Sequence, residues 1–107
     1  MGRLKHMARY LQGTRDLAMW FPVAGETAVM ECFCDTDWAG DKIDRKSVGC
    51  GVIQCGGCTL VEYARGQAVT GLSSGETEYY GIASVASEAI FIKHVLTFIN
   101  VHVQIRV

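Results

Sequence analysis

From Ser73 to Asn100 the chain reads as one long helix bracketed by its own start and stop signals, and a helix of that length leaves 107 residues few ways to fold. Ser73 at the N-cap and Glu76 three residues on form a capping box, and acids in the first turn suit the positive end of the helix dipole. Asn100 closes the run, so the helix is expected to end near Phe98. Glu78, Ile82, Val85, Ala89, Ile92, Leu96 and Ile99 trace its expected inner stripe, whereas Thr77, Gly81, Ser84 and Glu88 trace the expected solvent face. A helix this long needs a surface to lie on.

The preceding sequence supplies one. Val29 to Cys34 alternates as a strand does and leads into Asp35; Ser47 to Gln54 carries β-branched and small residues at alternate positions; Thr59 to Ala64 returns after Gly56-Gly57, a strong hairpin signal. Three strands joined by short turns make an antiparallel meander that requires a helix across one face for stability. At the N-terminus, Leu4, Met7, Ala8 and Leu11 recur at helical spacing, which predicts a helix over residues 3–12 closed by Gly13. Asp16 to Phe21 is a short strand candidate with Trp20 as a core residue, closed by Pro22 and the turn-prone Ala24-Gly25-Glu26, and expected to form a hairpin with Val29 to Cys34. After the long helix, Val101 to Val107 alternates apolar and polar and is still a strand where the chain stops. The expected class is α/β: an N-terminal helix and strand over 1–22, then a meander, long helix and opening of a fourth strand over 23–107.

Half the residues are hydrophobic, and with a single proline and no low-complexity tract the composition is that of a globular domain. Apolar runs are interrupted early, as Ala89 to Ile92 is by Lys93 and His94, so no continuous apolar stretch of about 18 residues is present. The N-terminus lacks the apolar segment of a signal peptide, and an intracellular protein is expected. A net charge of −1 announces no global attraction to nucleic acid, although Arg3, Lys5, Arg9 and Arg15 cluster in the first fifteen residues without an acid among them. Five cysteines without a secretory signal read as reduced thiols rather than a disulfide framework.

The chemistry concentrates in Cys34 to Ser47, CDTDWAGDKIDRKS. A carboxylate closing a half-buried strand costs several kcal/mol, roughly, unless something neutralises it. Asp35 there and Glu78 on the helix would repel at short range unless a cation lay between them, and hard ions such as Mg²⁺ prefer such oxygens. Spacing alone favours a helix-capping Glu78 and a turn-forming Asp35 over a metal site.

The string DTDWAGDKIDRKS, then Arg65-Gly66-Gln67, then Leu-Ser-Ser-Gly-Glu-Thr-Glu-Tyr over 72–79 resembles the ribonuclease H region of copia-type retrotransposon Pol polyproteins. Leu4 to Thr14, LKHMARYLQGT, is similar to the segment that follows the reverse transcriptase in the same polyproteins, so the resemblance covers essentially the whole chain. It implies an RNase H-like fold in which the fourth strand adds in parallel beside the first. It also implies hydrolysis of the RNA strand of RNA/DNA hybrids with two Mg²⁺ ions, and partnership with the reverse transcriptase portion of the polyprotein. Asp35 matches the first metal-binding, catalytic aspartate and Glu78 the helical catalytic glutamate; Asp37 and Glu76 match acidic positions without a catalytic role. Ser73 and Ser74, at the helix N-terminus, are candidate phosphate contacts, with Arg65, Gln67, Arg45 and Lys46 as further nucleic-acid contacts.

The chain departs from the family pattern at its end: no acid follows Glu88, so the third catalytic aspartate of the fourth strand is not reached, and Gly75 replaces the usual threonine. A C-terminally truncated chain with a partial metal site and little or no nuclease activity is therefore expected, with apolar sheet surface left open to association. Two other readings stand beside it: a non-catalytic retroelement relic with weak or no nucleic-acid binding, and a small zinc or thiol protein using the C-x₂-C pair Cys55 and Cys58 with Cys32, Cys34 or Cys50. His6, His94 and His102 show no ligand spacing.

Overall fold

The computed structural model describes residues 2–21, 29–40 and 43–107. Pro22, the Ala24-Gly25-Glu26 turn and Asp41 fall outside them. In chain order the elements are α1 (Gly2–Thr14), β1 (Val29–Thr36), β2 (Val48–Cys55), β3 (Cys58–Gly66), α2 (Ser74–Phe98) and β4 (Gln104–Arg106). The strands form one sheet in the order β3-β2-β1-β4. The first three make the expected antiparallel meander, and β4 adds in parallel to β1, with Val29, Met30 and Glu31 opposite Gln104, Ile105 and Arg106. This is the mixed α/β topology expected of an RNase H-like unit.

Local sequence explains each boundary. Gly56 and Gly57 both hold positive φ, 58° and 78°, which a two-residue hairpin turn with the right twist requires. Ser73 is extended (φ −148°, ψ 162°), and its Oγ accepts the Glu76 N–H at 3.2 Å, which starts α2. Asn100, at φ 64°, stops it; asparagine tolerates that left-handed conformation better than most non-glycine residues.

The core lies between α2 and the sheet. Met30, Cys32, Ile53, Cys55, Val85, Ala89 and Val103 are its buried members, flanked by Val61, Ile92, Leu96 and Ile105. The inner face of α2 differs from the expected one in its first half. Thr77, Gly81, Val85 and Ala89 are buried, whereas Glu78 and Ile82 are exposed. Apolar residues surround this helix, including exposed Ile90, Phe91, Val95 and Phe98, so hydrophobic periodicity does not choose a face. Close packing does: a Cβ on Gly81 would stand 2.7 Å from Thr36 Cγ2, so only the smallest side chain lets α2 settle onto β1 there. By length and composition α2 is also long and apolar enough to cross a membrane, despite the early breaks in its apolar runs. Its inner face is occupied by the sheet.

The N-terminal part departs most from expectation. Gly13 lies within α1 rather than capping it in a left-handed conformation. Residues 16–21 run as irregular chain, not a strand, and Trp20 is 83 % exposed. The physical reason is that a hairpin partner joined by a short turn would pair at the start of β1, and there, among the described residues, both sides are taken: β2 occupies one along its length and β4 the other at Val29 to Glu31. Among the described residues the helix α1 packs on no other element, and none of its own is buried.

Candidate metal and nucleic-acid site

Most of the motif residues build a clasp that ties the end of β1 to the starts of β2 and α2. Asp37 Oδ1 accepts the Val48 N–H, and the Asp37 N–H donates to the Val48 carbonyl at 3.0 Å, so this acid closes the β1–β2 pairing. Its carboxylate lies against Gly40, where a Cβ would come within 1.8 Å of Oδ2. That contact accounts for the glycine of D-W-A-G. Trp38 Nε1 donates to the Gly71 carbonyl at 3.2 Å, tying the turn to the segment ahead of α2. Ser47 is fully buried; its Oγ accepts the Ala39 N–H at 2.9 Å and its carbonyl accepts the Gln67 N–H at 2.7 Å. Gln67 Nε2 in turn donates to the Thr77 carbonyl at 3.0 Å, while its Oε1 is buried without a hydrogen-bond partner among the described residues. Periodicity gave no sign of Ser47, Trp38 or Gly81, because their roles rest on contacts between segments remote in sequence.

Glu76 is also committed to structure. Its carboxylate accepts the Leu72 N–H at 2.6 Å and the Tyr80 hydroxyl at 2.8 Å, and these two bonds, the backbone one first, hold it below its usual carboxylate range. The reach to Leu72 rather than to Ser73 shifts the capping box by one residue. The Tyr80 hydroxyl moves the opposite way, raised by its bond to Glu76.

Asp35 and Glu78 are treated differently. Among the described residues, neither carboxylate makes a hydrogen bond or ion pair. Both are exposed, so the burial cost anticipated for Asp35 does not arise, and Glu78 flanks the helix–sheet contact instead of lying within it. Asp35 sits one residue from the end of β1, opposite Cys50, whose thiol donates to the Asp35 carbonyl at 3.4 Å. Both carboxylates act electrostatically on Cys34. That half-buried thiol is pushed up, first by burial and then by the charges of Cys50, Asp35 and Glu78. Asp35 near the end of β1 and Glu78 in the first turn of α2 are thus two uncommitted acids on elements that pack together. Hard carboxylate oxygens of this kind suit Mg²⁺, which is commonly held by one or two carboxylates plus substrate phosphates. Among the described residues no group of three or more His, Cys, Asp or Glu side chains converges to hold an ion, so neither a full catalytic set nor a cysteine-based zinc site is assembled from them.

The expected nucleic-acid contacts divide. Arg65 is engaged with Glu88 at 2.7 Å and stacks over the Tyr63 ring at 4.5 Å, and Lys46 pairs with Asp44 at 3.8 Å. Gln67 is an internal tie. Ser73 Oγ is used in the helix cap, and the Ser74 carbonyl accepts the Thr77 hydroxyl at 2.7 Å. Arg45 is exposed, held at φ 58° in the turn before β2. Arg45 and the Ser74 hydroxyl thus have the fewest commitments. On the β4 side of β1, a groove of about 410 Å³ is lined by Cys32, Phe33, Cys34, Ile82 and Val107.

No family model matches the chain, and no solved structure does. Several curated proteins are similar. A protein of Plasmopara viticola named secreted RxLR effector protein 161 is 34 % identical over 89 residues, 83 % of this chain and 62 % of the relative. Retrovirus-related Pol polyproteins from transposons RE2 and RE1 of Arabidopsis thaliana are 32 % and 33 % identical over 94 % and 92 % of this chain, which spans only 7 % of each. The chain therefore spans less than two thirds of the length of these relatives. Along nearly its whole length it is similar to one short segment of these retrovirus-related Pol polyproteins from transposons.

Proposed function

We propose that the chain is the opening portion of a ribonuclease H-like domain, and that Asp35 and Glu78 are two of the carboxylates of a divalent-metal site acting on the RNA strand of an RNA/DNA hybrid. The observation that carries this reading is the sorting of the motif acids: Asp37 and Glu76 are consumed in the clasp and cap, while Asp35 and Glu78 are left uncommitted on adjacent elements, acting on one thiol. A bound Mg²⁺ would supply an activated water and stabilise charge at the transferring phosphate. The protein's own share is positional. The Gly81–Thr36 contact lets α2, which carries Glu78, settle onto β1, which carries Asp35, and the cap at Ser73 fixes where α2 begins.

The sheet register supports one position for a third carboxylate. Glu31 lies opposite Arg106, so a β4 continued in parallel would place the third residue after Val107 beside Asp35. The 107 residues alone thus hold a weak, single-ion site that does not cleave. Adding Mn²⁺ as a paramagnetic substitute tests the reading: amide signals around Asp35 and Glu78 should broaden together, and Asp35→Asn should remove the effect at both. Broadening confined to other acids, or unchanged in the variant, would contradict it.

A further inference from the structure

The β2–β3 turn carries a dithiol that the proposed hydrolytic site does not use. Cys55 and Cys58 are Cα partners in the β2–β3 ladder, on either side of Gly56 and Gly57. Residues paired across an antiparallel ladder project to the same face, and a hydrogen-bonded pair holds its Cα atoms about 5.5 Å apart, within the range a disulfide spans. Cys55 is buried at the core's edge and Cys58 is half-buried, and both are thiols in this structure. The other cysteines are not so matched: Cys32 lies opposite Ile53, Cys34 opposite Gly51, and Cys50 opposite Asp35. Cys32 and Cys34 lie two residues apart on one strand, where Cα atoms are separated by about 6.7 Å, at the limit of what a disulfide bridges.

We infer that Cys55 and Cys58 form a reversible redox site in which a low-molecular-weight disulfide, such as oxidised glutathione, is exchanged into a disulfide that staples the hairpin end. The step balances. The Cys58 thiolate, the more accessible of the two, attacks one sulfur of the reagent and releases one thiolate; Cys55 then loses its proton, attacks the Cys58 sulfur of the mixed disulfide and releases the second. One protein dithiol and one disulfide become one protein disulfide and two small thiols. Burial, and then the neighbouring Cys58, push the Cys55 thiol up, which suits it to the resolving role rather than the attacking one. The glycines keep the turn closed in the reduced state, so the two sulfurs are already held on one face before oxidation.

The test is oxidation of the folded chain with oxidised glutathione, followed by differential alkylation and fragmentation mass spectrometry. The expected result is loss of two of the five thiols, located at Cys55 and Cys58 and returned by dithiothreitol. In Cys55→Ser, which removes the resolving thiol, a glutathione adduct should accumulate on Cys58. Uniform protection of all five thiols, or a link involving Cys34 and Cys50, would overturn the inference on wild-type protein alone, whatever the variant's stability.

Discussion

Gly81→Ala tests the packing that positions the candidate site. In a helix interior this change is expected to stabilise by about 0.8–1 kcal/mol, because alanine restricts the unfolded backbone. Here the added Cβ would meet Thr36 Cγ2 at 2.7 Å, inside any comfortable contact. Threonine is β-branched and short, so it cannot swing its methyl aside, and its hydroxyl is held toward Thr77 Oγ1 at 3.5 Å. Overpacking of this kind costs roughly 1–3 kcal/mol, so the net effect is destabilisation of about 0–2 kcal/mol. Thr36→Ser removes the offending methyl and keeps the hydroxyl. In that background Gly81→Ala should recover its intrinsic gain, giving a coupling of roughly 1–3 kcal/mol between the two positions. Urea unfolding of the four proteins measures the cycle. If Gly81→Ala stabilises both backgrounds equally, the close approach of α2 to β1 is refuted, and with it the positioning of Glu78 relative to Asp35.

Other consequences are as direct. Ser47→Ala leaves the half-buried Ala39 N–H without its acceptor on a fully buried side chain and should cost about 1–3 kcal/mol in urea unfolding, among the largest single effects in the clasp. The lowered Glu76 carboxyl stabilises the fold above its unfolded-state titration, and that contribution is lost as pH falls through its folded one; Glu76→Gln should flatten the acid limb of the stability–pH curve, and Tyr80→Phe should flatten it in part. Arg65→Ala breaks an exposed ion pair and a ring contact, so it should shift the unfolding free energy by no more than about 1 kcal/mol, and a large loss would show Arg65 to be more than a surface brace. Asn100→Val, by contrast, forces a β-branched residue to φ 64° and should destabilise by about 1–2 kcal/mol, whereas Asn100→Gly should be close to neutral in the same assay.

Where local rules act alone, the sequence was a good guide. The two glycines of the β2–β3 turn, the Ser73 cap and the Asn100 stop are decided by backbone conformation within a few residues, and each stands where its chemistry requires. The α2 face was misread because apolar residues encircle that helix, and the deciding contact, Gly81 on Thr36, joins positions far apart in sequence. Residues 16–21 looked like a strand from composition, but a strand needs an open edge, and edge occupancy is a property of the whole sheet. Asp35 and Glu78 were singled out by strand end and helical phase and then by the resemblance; the structure adds that Asp37 and Glu76, acids of the same motifs, are spent on hydrogen bonds.

Cleavage of a labelled RNA/DNA hybrid, with Mg²⁺ present, is the most direct test of the central claim. Two proteins are compared: these 107 residues, and a longer polypeptide whose β4 continues to an aspartate beside Asp35. The expected result is no cleavage by the shorter chain and Mg²⁺-dependent cutting of the RNA strand by the longer one, abolished by Asp35→Asn and by Glu78→Gln in proteins that remain folded. Cleavage by the longer chain that survives both substitutions would contradict it, and so would Asp35-dependent cleavage by the 107 residues alone.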